Sequence, residues 1–416
     1  MTDNGTQQSA PPVFAGLKVV EIASFIAAPA AATMLSDFGA DVVKVEPPGL
    51  GDPQRLLSSV PPSPSAPGNY SWHLANRNKR GMAIDLKSDG GAEILKRLVT
   101  WADVVITNFP HGTREALHLG YEQVSAWNPR VIYADITGYG DAGPDARLPG
   151  FDLTAYWSRS GLLASTRDAG APPTSPPWGS GDYTTATAIY AAVVTGLYHR
   201  ERTGEGANVG TSLLATGVWA TGTLVSAALA GGKPYELHDH NKPVNAMTNP
   251  YQSADDRWLM LAAKQTAWPA VAKAIGRVDL LQDPRFADAD AIGHHAADLA
   301  KALATEFRRN PLNHWKPLLD EARIPYGIVQ TPEQAAADPQ LRAAEIVVPI
   351  DGAPDVQYTV NNPLVLRGMT RVAARRAPEH GEHNDEVLRE LGYSTEDIAA
   401  FREHKAIPSA REQESV

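Results

Sequence analysis

From Leu17 onward, apolar and polar positions follow an α/β rhythm. LKVVEIA is an apolar run of strand length. PAAATMLSDFG reads as a helix opened by Pro29 and closed by Gly39. ADVVKVEPP reads as a strand stopped by two prolines, which completes a βαβ unit. KRGMAIDL predicts a strand and GGAEILKRLVTWA a helix. DVVITNF predicts a strand followed by a loop, and RVIYADITGYG repeats the arrangement. Strands alternating with helices imply a parallel sheet covered on both faces. Segments 49–70 and 164–181 are rich in Pro, Gly and Ser and predict loops. A long helix is expected over about 183–201, with Ala186, Tyr190, Ala191, Val194, Leu197 and Tyr198 on one stripe. The apolar stretch at roughly 213–230 is interrupted by Gly and Thr. It predicts a buried helix, because a membrane span needs about 20 strongly apolar residues.

The pattern shifts near residue 230. GGKPYELHDHNKP reads as a connector and RWLMLAA as a strand, with helices expected around 267–276, 295–309 and 311–323. Four parts result: a flexible tail over 1–13, a large domain over 14–224, a small α+β domain over 225–330, and a segment of mixed pattern over 331–416. In the last part VLRELGYSTEDIAAFREH predicts a helix, a Gly stop and a final helix. Ser394 caps that helix, with Asp397 in the box position.

Composition narrows the chemistry. The 416 residues carry a net charge of −10, which disfavours nucleic acid and anionic membrane surfaces as partners. An anionic small ligand stays open where basic residues cluster. The chain has 0 cysteines, which excludes disulfides, zinc–thiolate sites, iron–sulfur clusters and a cysteine nucleophile. The N-terminal MTDNGTQQSAPPVF lacks the basic and apolar regions of a signal peptide. A cytoplasmic enzyme is expected.

Several motifs fail on inspection. GYGDAG at 138–143 fits G-x-G-x-x-G after a strand, but Pro144 and the loop DARLPGFD replace the helix a dinucleotide site needs. It is better read as a glycine loop that lets backbone approach a ligand. Glu46 ends the second strand where a ribose-binding acid would sit, yet the crossing ASFIAAPAAA has no glycine. WGSGD and VGTSLL both miss the G-x-S-x-G nucleophile elbow. HDH at 238–240 and HGEH at 380–383 lie in polar connections and read as solvated loop histidines, so no metal site is expected. Arg77, Lys79 and Arg80 in NRNKR are either a solvated strand entry or a place to attract phosphate. Asp182 in WGSGDYTTA is either the N-cap of the following helix or an uncrowded catalytic carboxylate. In the second case, free N–H groups at the helix start could stabilise an oxyanion.

Taken together, GLKVVEIASFIAAPAAATMLSDFGADVVKVEPPGLGD, NRNKRGMAIDLKS, ADVVITNF, NPRVIYADITGYGDAGP, GDYTTATAIYAAVVTGLYHRERTGEGANVGTSLL and VLRELGYSTEDIAAF resemble the class III coenzyme A transferases. The resemblance runs from about Leu17 to Ile407. It implies a Rossmann-like large domain, a small domain, and a chain that returns to complete the large domain within an interlocked homodimer. It implies Asp182 as the catalytic aspartate. Coenzyme A contacts are implied at Phe25, Ile26, Ala27, Ile84, Lys87, Asn108, Phe109, Thr137 and Tyr139. Acyl-CoA and a carboxylic acid are the implied substrates. They exchange CoA through an anhydride and an aspartyl-CoA thioester, with no metal and no permanently bound cofactor.

Some positions depart from the family pattern. Ile26 stands where some members place glutamine, and Pro47 and Thr137 stand where basic residues occur. NFPHGTREALHLG is about two residues longer than usual, with His118 where arginine is common. HNKPVNAMTNPYQ lacks the glycine-rich lid of oxalate-using members, which argues against oxalate or formate. α-Methylacyl-CoA racemase shares the fold but needs a titratable acid–base pair. Phe151 and Gln265 stand at the matching positions, so transferase chemistry is favoured. A catalytically silent CoA-binding homologue is the third alternative, against which the retained Asp182 argues.

Overall fold

The computed structural model describes residues 11–409. The expected 1–13 tail thus falls largely outside the described residues. The described residues divide into two compact units, one of residues 11–163, 175–229 and 340–409, the other of 164–174 and 230–339. The fold class is α/β around a parallel sheet.

In the first unit, β1 (Lys18–Ile22), β2 (Asp41–Glu46), β3 (Arg80–Ala83), β4 (Val104–Thr107), β5 (Ile132–Thr137) and β6 (Ala207–Ser212) form a six-stranded sheet in the order β3-β2-β1-β4-β5-β6. Every neighbouring pair is parallel. Val20 lies opposite Val43 and Val105, so alternate residues of adjacent strands share a face. On one face, Val20, Val43 and Val105 pack with Ile94, Leu95 and Leu98 of the Asp89–Trp101 helix and with Val387, Leu388 and Ile398 from the C-terminal part. On the other face, Val19, Val42 and Val104 pack with Ala28 and Ala31 of the Ala27–Ser36 helix and with Ala186, Ile189 and Val193 of the Ser180–Thr203 helix. The C-terminal segment also closes the sheet edge: the amides of Gly81 and Ala83 in β3 donate to His383 and Asn384.

In the second unit, β7 (Thr248–Gln252), β8 (Trp258–Ala262) and β9 (Tyr326–Ile328) form an antiparallel sheet. Its core joins Leu259 and Leu261 to Val271, Leu299, Leu303, Phe307 and Trp315 from three helices. No helix among the described residues is long and apolar enough to cross a membrane.

Three expectations are corrected. The 213–230 stretch is two helices, Leu213–Ala220 and Gly222–Leu229, broken at Thr221, whose hydroxyl donates to the Ser160 carbonyl at 2.8 Å. None of the second helix is buried, and Trp219 and Leu229 are 88% and 84% exposed. Nor is NRNKR available to a phosphate. Arg77 is buried on Asp37 at 2.6 Å, Lys79 is buried on Glu21 at 2.6 Å, and Arg80 pairs with Asp41, Glu386 and Glu390. The histidines are not simply solvated. His380 is buried and bonds the Pro47 carbonyl, while His240 pairs with Asp168 at 2.7 Å.

Candidate active site

The strand order reverses between β1 and β4, and in doubly wound sheets ligands bind beyond the carboxyl ends of the strands at such a switch point. The turn after β1 is held from two sides. Asn108, just after β4, accepts from the Ser24 amide at 3.0 Å and donates to its carbonyl at 2.7 Å. Asp52 accepts from the Phe25 amide at 2.9 Å and pairs with Lys44 at 2.8 Å. Phe25 needs this support because its φ is +64°, a left-handed backbone that a bulky residue rarely adopts. Below the turn, Lys44 and Lys79 share the buried Glu21 at 2.7 and 2.6 Å. Burial pushes the Glu21 carboxyl up, but the two ammonium groups outweigh this and leave it lowered.

Ile26 of this turn meets the start of the Ser180–Thr203 helix. A Cβ on Gly179 would stand 2.9 Å from Ile26 Cδ1, and Gly179 has φ +78°. Gly179 is the N-cap, so Asp182 sits inside the first helical turn and is not the cap. One of the N–H groups expected to be free there, that of Gly181, is engaged instead. Asp152 reaches across 29 residues of sequence and accepts from the Gly181 amide at 3.0 Å. A Cβ on Gly181 would stand 2.2 Å from Asp152 Oδ1 and 2.4 Å from Tyr156 Cγ, so only glycine admits this approach.

The Asp182 carboxylate is half-buried and has no hydrogen-bond partner among the described residues. Burial raises its pKa to about 7, and the nearby Asp152 charge adds to the rise. Burial likewise raises Asp152, against the opposing hydrogen bonds from the Gly179 and Gly181 amides.

Other walls of this turn are apolar. The rings of Phe25 and Phe151 meet edge to face at 5.9 Å, and Trp157 donates to the Ser180 hydroxyl at 3.2 Å. Tyr139 stands beside Gly150, in a loop whose Gly138 approaches Gly150 so closely that a Cβ would stand 2.7 Å from its Cα.

The structure sorts the candidate contacts. Phe25, Ile26, Ala27, Asn108, Phe109 and Tyr139 follow β1, β4 or β5 at the carboxyl edge, and Thr137 ends β5 there. Ile84 is 1% exposed inside the core, so its side chain cannot meet a ligand. Ile26 and Ala27 are buried too, and the Asn108 amide is spent on Ser24. Thr137 accepts from the Gly140 amide at 2.9 Å and fixes the glycine loop. Lys87, after β3, is exposed. Glu46 pairs with Arg55 at 2.7 Å, which removes it as a ribose ligand. No local pattern marks Asp152 as a functional residue, because its partner amide lies 29 positions away.

A doubly wound sheet whose switch point faces a helix start bearing an unpartnered carboxylate is the architecture of an α/β enzyme with an acidic centre. A profile of CoA-transferase family III matches residues 14–384, and the chain belongs to this family of CoA-transferases. It is 35% identical to an (R)-2-hydroxy-4-methylpentanoate CoA-transferase of Clostridioides difficile, over 94% of this chain and 98% of that one. It is 30% identical to a cinnamoyl-CoA:phenyllactate CoA-transferase of Clostridium sporogenes, over 96% and 98%. The crystal structure of a CAIB/BAIF family protein from Brucella suis matches with a TM-score of 0.79 at 28% identity, covering 92% of this chain and 100% of that one.

Proposed function

We propose that this enzyme moves CoA from an acyl-CoA to a carboxylic acid with Asp182 as the nucleophile. The observation that carries this is the half-buried Asp182 carboxylate, which no hydrogen bond engages among the described residues. A carboxylate oxygen of Asp182 attacks the thioester carbonyl, the C–S bond breaks, and a mixed anhydride forms with release of the CoA thiolate. The thiolate then attacks the Asp182 carbonyl, which frees the donor acid and leaves an aspartyl-CoA thioester. An incoming carboxylate repeats the exchange in reverse and departs as the new acyl-CoA. Each step exchanges acyl groups between nucleophiles, so none needs a redox cofactor or a metal.

The surroundings favour a monocarboxylic acid with an apolar body. Phe25 and Phe151 offer aromatic edges, and the charged group bearing on Asp182 is another carboxylate. A second carboxylate on the acceptor would be repelled there. Two of the relatives are named for acids with such bodies, 2-hydroxy-4-methylpentanoate and phenyllactate. Phe25, Tyr139, Thr137, Phe109 and the exposed Lys87 are the groups we assign to the CoA moiety. The exposed apolar Trp219 and Leu229 support a homodimer that buries these two helices.

Asp182→Ala should abolish transfer while leaving acyl-CoA binding intact. Hydroxylamine trapping under turnover, followed by peptide mass spectrometry, should place the label on Asp182. Transfer at the normal rate by the variant, or no label on Asp182, would refute the nucleophile. A panel of acyl-CoAs against mono- and dicarboxylic acids tests the substrate class, and sedimentation of wild type against Trp219→Glu tests the dimer.

A further inference from the structure

We propose that Asp152 is a positioning residue for the transfer: it takes the backbone amides at the start of the Ser180–Thr203 helix and so leaves Asp182 free to attack. This rests on Asp182 being the nucleophile. An acidic side chain in the first turn of a helix ordinarily folds back onto the unpaired amides, which lowers its pKa and its nucleophilicity. Here Asp152 Oδ1 already holds the Gly181 amide at 3.0 Å, and the absence of a side chain at Gly181 is what lets it in. Its Oδ2 is buried with no hydrogen-bond partner among the described residues, so the group is held for its first oxygen alone. An unsatisfied buried carboxylate oxygen is costly, and a merely structural cap could be met by Asn or Ser at lower cost.

Other charges do not account for the site. The Ala27–Ser36 helix, the Leu213–Ala220 helix and β6, all packed on this helix, carry no ionisable side chain, and in β5 Asp135 is paired with Arg114 while Tyr133 donates to the Leu119 carbonyl. The Asp152–Ser158 turn contributes Asp152 and Tyr156, and the helix itself contributes Tyr183 beside Asp182. Burial is thus the larger reason that Asp182 is basic enough to attack a thioester, and the Asp152 charge adds to it.

The test compares wild type, Asp152→Asn and Asp152→Ala in three readouts: the pH profile of kcat/KM for acyl-CoA, the rate of hydroxylamine labelling at Asp182, and thermal melting. Asp152→Asn keeps an oxygen for the Gly181 amide and removes the like charge, so it should melt at or above the wild-type temperature. Its acid limb, expected near pH 7 in wild type, should move down by about one pH unit as the like charge disappears. Asp152→Ala frees the amides for Asp182, and labelling should slow roughly 10–100-fold with KM unchanged. Wild-type acid limbs and labelling rates in both variants would overturn the proposal. So would a rate loss that tracks early melting while the acid limb stays put, since that is what a structural role alone predicts. Absence of label on Asp182 in wild type would instead refute the nucleophile.

Discussion

Asp182→Asn should make this protein more stable at pH 8 while removing its activity. The carboxyl titrates at about 7 in the folded chain against 3.8 as its ordinary value. Between those limits the unfolded chain has lost a proton that the native state still holds. Native stability therefore falls as pH rises from about 4 to about 7 and is level above. A span of roughly three pH units at about 1.4 kcal/mol each is roughly 4 kcal/mol as a bound. Solvent contact of a half-buried group reduces it, and about 1–3 kcal/mol is the working figure. Asp152 is raised by its own burial, so neutralising its neighbour relieves it as well and acts in the same direction. Urea melts of wild type and Asp182→Asn at pH 5, 6, 7 and 8 read this directly. The advantage of the variant should grow from pH 5 to 7 and then plateau. A difference that stays constant across this range, or a wild type that is the more stable at pH 8, would show that no charge is being held at cost in this turn.

Three further changes probe the scaffold. Gly181→Ala puts a Cβ 2.2 Å from Asp152 Oδ1, so the helix start must shift; kcat should fall roughly 100-fold and stability by about 1–3 kcal/mol, read by turnover and urea melts. Glu21→Gln strips the carboxylate that Lys44 and Lys79 share, and Lys44 keeps Asp52 at 2.8 Å while Lys79 keeps only neutral acceptors; a loss of about 3–5 kcal/mol in unfolding free energy, read from urea melts, is expected. Ser394→Ala deletes the hydroxyl that accepts from the Asp397 amide at 3.1 Å and should cost about 1 kcal/mol with unchanged turnover.

Much of the architecture was legible because it is written in local periods. The β1–helix–β2 unit, the long helix and the Ser394 capping box each depend on residues a few positions apart, and Ser394 and Asp397 do bond each other as their spacing predicts. The helix after WGSG was legible too, but its start was placed three residues late, because Gly179 caps it in a left-handed turn without any side-chain bond. What the pattern could not show was where charges are consumed. Arg77 and Lys79 read as surface cations, yet their partners Asp37 and Glu21 lie 40 and 58 positions away. Such pairings are set by sheet order, and no local rule reaches them. Leu213–Leu229 shows the opposite error: apolar composition promised burial, while this single chain leaves much of it in solvent.

The buried charges and the candidate site are one construction. Lys79 and Lys44 converge on Glu21, Lys44 continues to Asp52, and Asp52 fixes the Phe25 amide at 2.9 Å. That chain ends on a residue with φ +64°, a conformation that costs about 1–3 kcal/mol and persists only when its surroundings over-determine it. A second clamp, Asn108 on both polar groups of Ser24, holds the same turn from the β4 side. Rigid support there has a purpose that a phosphate-binding cluster would not: it sets Ile26 against Gly179 and so fixes the helix start on which Asp182 is carried. Of the basic residues of NRNKR, Lys79 thus supports the strained turn through Glu21, Lys44 and Asp52, while Arg77 and Arg80 are spent on Asp37 and on Asp41, Glu386 and Glu390.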